Sequence, residues 1–174
     1  MGIQELVNRA GVPKGSFYNH FSSKEAFAIT AIEDYTKQRM TMLSHKLHDA
    51  EGSPLERLTP FYLNWANDFE HGDRRGCLLA NLSQEVSNQR PQIQQMLAQC
   101  YEQGLAEIVK SIQNAQEAKE LSSEASAHEI AFAVYNGWNG ALIYAKAIQS
   151  NQPLLQFCQS VLPTLLAQNN SLNM

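Results

Sequence analysis

The 174-residue chain reads as all-α: a helix-turn-helix head followed by a helical-bundle body. Three observations carry that reading. Leu, Ala and Gln number 19, 19 and 16, against 6 Val, 9 Ile and 5 Thr, and unbranched side chains lose less rotamer freedom in a helix than β-branched ones. Apolar residues recur at spacings of three and four in one segment after another, the period of a helix buried on one side. The six prolines, at 13, 54, 60, 91, 153 and 163, leave 92–152 without one, so long helices can run there.

The elements follow in order. Ile3, Leu6, Val7 and Ala10 fall on one face of a first short helix. Gly11-Val12-Pro13 ends it, since glycine accepts a left-handed cap and proline suits the start of the next helix. Residues 14–21 form that helix, with Phe17 and Phe21 four apart and pointing inward. Ser22-Ser23-Lys24-Glu25 reads as a capping box opening a helix of about two dozen residues. Ser53-Pro54-Leu55-Glu56 reads as another, with proline at the first helical position and a stripe of Leu55, Leu58, Phe61, Tyr62, Trp65 and Phe69 behind it. A loop at 71–76 leads to a shorter helix over 77–87. Pro91 starts a long helix whose inner stripe runs through Ile93, Leu97, Cys100, Tyr101, Leu105, Ile108 and Ile112. A further helix begins near 123–126 and runs to about 150, and Pro153 opens the last. No repeat, low-complexity tract or linker interrupts this order. The expected division is a head over 1–45 and a body over 46–174.

Several classes of function fall away on composition and motif. No segment approaches the 18 or so apolar residues of a membrane span, and the start lacks the basic-then-apolar pattern of a signal peptide. A cytoplasmic protein without a membrane partner is expected. Three cysteines with no C-x-x-C argue against a disulfide framework or a zinc site. His45, His48 and Asp49 share a helical face but lack a fourth ligand, so neither metal nor cofactor is expected. Glycine-rich nucleotide loops, the G-x-S-x-G elbow and H-E-x-x-H are all absent, which argues against an enzyme.

Charge is distributed unevenly. The net charge is −4, yet residues 1–24 carry Arg9, Lys14 and Lys24 against Glu5, a local +2, leaving −6 on the remainder. A basic head on an acidic body suits a protein that touches a polyanion at one end only.

Two short helices joined by a tight turn, the second with small and polar residues outward, describe a helix-turn-helix reader of DNA. Such a second helix must approach the major groove closely. Gly15 and Ser16 in its first turn leave room, and backbone N–H groups there can meet phosphate. Ser16 and Asn19 can bond base edges, asparagine being suited to the N6/N7 pair of adenine. Lys14, Tyr18, His20 and Lys24 can reach phosphate oxygens, which fix register without reading sequence. A generic helical hairpin has the same spacing.

The run GVPKGSFYNHFSSKEAF at 11–27 closely resembles the signature of TetR-family repressors, approximately G-V-S/P-K-G-S/T-L/F-Y-x-H-F-x-S-K-E-A-L/F. The match is long and free of gaps. RGCLLANLSQEV at 75–86 and NGWNGAL at 136–142 resemble body motifs of one branch of that family, in which a lysine stands at the position of Lys146. The resemblance implies an all-helical homodimer, with an N-terminal DNA-binding head, a helical ligand-binding body and a dimer seam formed by the last two helices. Family members carry a further helix ahead of the segment that begins at Met1. Two short helices cannot bury their apolar faces alone. The expectation is therefore that Met1 is an internal methionine of the natural protein.

Within the body, Cys77 follows Arg74 and Arg75 at a helix start, where the helix dipole and nearby cations favour thiolate. It is the candidate sensor of an electrophile or oxidant, with Lys146 as a partner implied by the resemblance; the alternative is a buried small hydrophobe. Cys100 and Cys158 lie on apolar stripes and read as structural. Tyr62, Trp65, Tyr101 and Trp138, with Phe69 and Tyr144, are candidates to wall a ligand cavity, although each could equally be core. Gly137 and Gly140 each cost a helix about 1 kcal/mol relative to alanine, so a close helix–helix approach is expected at both. The functional expectation is a ligand- or electrophile-responsive repressor, a homodimer on palindromic double-stranded operator DNA. The alternative is a helical small-molecule-binding module that cannot bind DNA in this truncated form.

Overall fold

The computed structural model describes residues 2–72, 74–85, 90–122 and 124–167. Helix α1 (Ile3–Ala10) ends on Gly11 at φ +67, where the N–H groups of Gly11 and Val12 return to the carbonyls of Asn8 and Val7 at 3.2 and 3.0 Å. This left-handed cap is the reason for glycine at the turn. Pro13 stands at the N-cap of α2 (Lys14–His20), one residue ahead of the helical position that a proline start implies. Phe17, Phe21 and Phe27 close into a triangle with ring centroids 5.1 to 5.7 Å apart, and Val7 and Phe17 are buried. This aromatic knot holds the turn against the start of α3 (Lys24–Ser44).

The expected Ser22 capping box does not form. Ser23 is the N-cap, and its hydroxyl accepts from the Ala26 N–H at 3.0 Å. The third helical position, from which a glutamate would reach back, is therefore alanine. Glu25 instead accepts from Arg90 at 3.1 Å, tying the start of α3 to the start of α6. Ile32, Thr36, Arg39 and Leu43 form the buried stripe of α3, which gives way to a π-turn at His45–Asp49.

Helix α4 (Pro54–His71) opens on the full Ser53/Glu56 capping box with Pro54 in its first turn. Helix α5 is Leu78–Glu85; the expected extension to 87 lies outside the described residues. Helix α6 (Pro91–Glu117) and helix α7 (Ala127–Ile148) are the longest of the body, and a Ser126/Glu129 box opens α7. Helix α8 (Gln152–Gln156) passes through a π-turn, Phe157–Val161, into α9 (Leu162–Ala167). Among the described residues there is no strand, and no helix is long and apolar enough to cross a membrane.

The core sits where α3, α4, α6, α7 and the C-terminal helices meet, around Leu58, Tyr62, Ile108, Ile112, Val134, Trp138, Leu154 and Leu162. Gly137 fulfils the expected close approach: a Cβ there would lie 2.9 Å from Phe157 Cε2. Gly140 has nothing within 4 Å. A third glycine, Gly104 on α6, makes the tightest fit, since its Cβ would lie 2.6 Å from Tyr135 Oη on α7.

Candidate functional site

Two regions carry the residues singled out above. On the head, Phe17 turns inward while Lys14, Gly15, Tyr18, Asn19 and His20 are exposed and Ser16 is half-buried. A Cβ added at Gly15 would meet nothing within 4 Å, so this face of α2 is open to close approach. Lys24 is also exposed, on the first residue of α3 and not on α2.

In the body a cavity of about 230 Å³ opens between α3, α4, α7 and the loop ahead of α5. Trp65 and Trp138 form part of its wall with ring centroids 5.9 Å apart. Cys77 lines it, buried, in the position just before α5. Arg39 Nη1 donates to Cys77 Sγ at 3.2 Å, and Tyr35 Oη lies 4.0 Å from the same sulfur. Tyr35 and Arg39 are one turn apart on α3, so a single helical face presents both to the thiol. The Arg39 guanidinium also lies over the Trp65 ring, 4.6 Å from its centroid, a cation–π contact. Burial raises the Tyr35 phenol above its ordinary range, reinforced by the Cys77 sulfur beside it.

The cation bonded to Cys77 is thus Arg39, and Arg74, three positions before the thiol, is engaged elsewhere. Arg74 takes φ +53 and is drawn to the end of α4, bonding Glu70 at 2.6 Å and the Gln149 carbonyl at 2.7 Å. Gly76 follows at φ +73, and a Cβ there would lie 3.6 Å from Lys146 Cδ. Lys146 therefore lays its stem over the residue before Cys77, while its ammonium donates to Asn81 Oδ1 at 2.6 Å.

The remaining candidates are distributed as follows. Trp65, Trp138 and Phe69 line the cavity. Tyr62 lies fully buried behind it, its ring 4.9 Å from that of Trp138. Tyr101 stands apart, 3.5 Å from the Ser83 hydroxyl and edge-on to Tyr135, and Tyr144 is 59% exposed. Cys100 Sγ accepts from the Thr36 hydroxyl at 3.1 Å. His48 bonds Glu107 at 2.8 Å, and no cluster among the described residues could hold a metal. Sequence reasoning did not single out Tyr35 or Arg39. A signal existed: Arg39 is a charged residue on the stripe otherwise formed by Ile32, Thr36 and Leu43.

A model of the bacterial regulatory proteins of the tetR family matches residues 1–30, and one of the tetracyclin repressor-like C-terminal domain matches 54–161. The chain belongs to the TetR family. The transcriptional repressor DhaR of Mycobacterium sp. is 31% identical over 98% of this chain and 85% of its own length. The transcriptional repressor NemR of Escherichia coli is 32% identical over 88% of this chain and 78% of its own. Among solved structures, the reduced form of E. coli NemR superposes with a TM-score of 0.87 at 30% identity, covering 96% of this chain and 87% of that one. The regulatory protein TetR from Rhodobacter sphaeroides gives 0.83 at 33%, covering 90% and 84%. This TetR-family protein is a DNA-binding, ligand-responsive transcriptional regulator, and the relatives it matches are regulators and not enzymes.

Proposed function

We propose that this TetR-family protein is a repressor that leaves a palindromic operator when its body cavity is filled or Cys77 is modified. The observation that carries the reading is the Arg39–Cys77 contact at 3.2 Å, because Arg39 stands on the helix that begins in the head. At 1.5 Å per residue, the fifteen positions from Lys24 to Arg39 make a rod of about 22 Å. At its near end Phe27 packs on Phe17 and Phe21, which seat α2. Adding bulk at Sγ displaces Arg39 or Tyr35, and a helix moves as a unit where a packed core cannot deform smoothly. In a dimer, that movement alters the spacing of two heads, which must sit about 34–36 Å apart or a multiple of that to enter successive major grooves.

On the head, Ser16 and Asn19 take the base edges, and Lys14, Gly15, Tyr18, His20 and Lys24 the phosphates. In the body, Cys77 is the reactive group, Lys146 assists from above Gly76, and Trp65 and Trp138 hold the effector. Tyr62 supports Trp138 from behind, and Tyr101 buttresses α5 through Ser83. The effector is a small molecule or an electrophile, and the protein works as a cytoplasmic homodimer without a membrane partner or a cofactor.

The test is an operator-binding titration on the protein expressed from its natural gene, with N-ethylmaleimide added. Wild type should release DNA, and Cys77→Ser should bind with similar affinity and resist release. Lys14→Ala in the same titration should weaken binding to all sequences and reduce the salt slope by about 1. If Cys77→Ser releases as readily as wild type, Cys77 is structural and reversible ligand binding carries the response.

A further inference from the structure

Arg39 is a buried cation without a carboxylate. It is 9% exposed, its Nε is enclosed with no acceptor, and among the described residues no acid forms an ion pair with it. Its contacts in the cavity are a thiol sulfur, a weak acceptor, the Tyr35 phenol and the face of Trp65, and none of them is a carboxylate. A guanidinium taken out of water costs free energy unless an anion and well-formed hydrogen bonds compensate it. The cavity beside it has room for one. Its volume of about 230 Å³ is below the roughly 300–1,000 Å³ of pockets for drug-sized molecules, so the occupant is small.

The rest of the lining says what kind of anion fits. Trp65 and Trp138 are flat and apolar, suited to a planar body. Arg74 lines the cavity too but is already engaged by Glu70. Asp68 is exposed on the lining and repels negative charge placed near it, so an anion is favoured only at the Arg39 end. One uncompensated cation and one repelling acid suit a monoanion better than a phosphate dianion. The planar guanidinium fork matches the two oxygens of a carboxylate. We propose that the cavity binds a small planar carboxylate, anchored on Arg39 and held against the wall that Trp65 and Trp138 form. This rests on the reading of the cavity as the effector site and narrows the effectors to organic acids.

Trp65 and Trp138 are the chain's two tryptophans, so their emission reports directly on the cavity. Benzoate and benzamide have nearly the same shape and differ in charge, and neither alkylates a thiol. Titrated into wild type, benzoate should change the emission saturably and bind at least about tenfold more tightly than benzamide, as expected for hydrogen bonds to a charged group. Arg39→Gln should bring the two within about twofold. Asp68→Asn, an exposed change that leaves the core intact, should tighten benzoate by about two- to threefold and leave benzamide unchanged. Equal binding of the two by wild type, or no saturable response to benzoate, overturns the proposal. Release of operator by N-ethylmaleimide alongside a missing benzoate response would remove the carboxylate site and leave the Cys77 reading standing. Benzoate binding that leaves operator affinity unchanged would keep the site and remove its effector role.

Discussion

Each of the three cysteines meets a different surrounding, and the differences have separate consequences. Cys77 faces Arg39, Cys100 faces the Thr36 hydroxyl, and Cys158 lies buried on the C-terminal helices. Burial pushes the Cys158 thiol up from 9.0 to about 11. Well below pH 9, at neutral pH, this thiol is protonated in both folded and unfolded chains and has no effect on pH dependence. Between pH 9 and 11 the unfolded chain ionises first and so binds fewer protons, and stability falls as pH rises. Tyr135, pushed up to about 12 by burial, adds the same sign of effect as pH approaches its ordinary value of 10. Tyr35, Tyr62 and Tyr101 are raised by burial as well and act in the same direction as pH nears 10, so the difference between wild type and Cys158→Ala isolates the thiol. Urea unfolding should show stability beginning to fall as pH nears 9, with roughly 1 kcal/mol of the fall between pH 9 and 10 coming from this group. Cys158→Ala should flatten that fall. An equally steep fall in the variant would mean that another group sets the alkaline limit.

Between elements, the α6–α7 contact depends on what Gly104 lacks. A Cβ there would lie 2.6 Å from Tyr135 Oη and 3.3 Å from the ring carbons next to it. Alanine would gain up to about 1 kcal/mol of helix propensity but overpack a buried contact at a cost of about 1–3 kcal/mol, so Gly104→Ala should lose about 1 kcal/mol net. Tyr135→Phe removes the atom in closest conflict, so the loss should shrink when the two changes are combined. Denaturation of the single and double variants reads this coupling directly, and strict additivity would refute it. Contacts of this kind mark the limit of what the sequence made legible. The Ser53 box and the 3.6-residue stripes are encoded within a turn or two, and they placed most of the helices. The contact of Arg39 with Cys77 spans 38 positions, so no local rule joins them. The same gap explains why Arg74 and Arg75 looked like the cations for Cys77, being its neighbours in sequence. It also explains the aromatic set: periodicity turns both Tyr62 and Trp65 inward, but only tertiary packing puts Trp65 on the cavity and Tyr62 behind it. The TetR signature at 11–27 was legible because a DNA-facing helix must keep small and polar residues outward while Phe17 and Phe21 turn inward.

For the whole molecule, the open face of α7 bears on assembly. Phe132, Ile143, Tyr144 and Ile148 are 43–59% exposed, and Asn136 and Gly140 lie between them at spacings of three and four, so they form one stripe along the helix. Single exposed apolar side chains are ordinary, but a contiguous stripe marks a surface that another surface covers. Gly140 has nothing within 4 Å inside the protomer, whereas Gly137, three positions back, is closed off by Phe157. A glycine open on such a stripe lets a second backbone come close, and in the proposed homodimer a second copy of the chain meets the same stripe about a two-fold axis. A stable pairing buries on the order of 2,000 Å² in total, so the C-terminal helices must add area beside α7, and the exposed Val161 lies there. Replacing Ile143 and Tyr144 with glutamate puts charge on both sides of the axis without touching either protomer's core. The expected result is a folded monomer with unchanged helicity, sedimenting as such at micromolar concentration. Such a monomer should also lose most operator affinity, because a palindrome rewards only two heads held at the right spacing. Gly140→Ala provides the opposite check. In an isolated protomer it should raise helix stability by about 0.5–1 kcal/mol, and in the dimer it should weaken association. A double glutamate variant that still sediments as a dimer would move the seam elsewhere, and the link from α3 through the heads would then have to be rebuilt on a different axis.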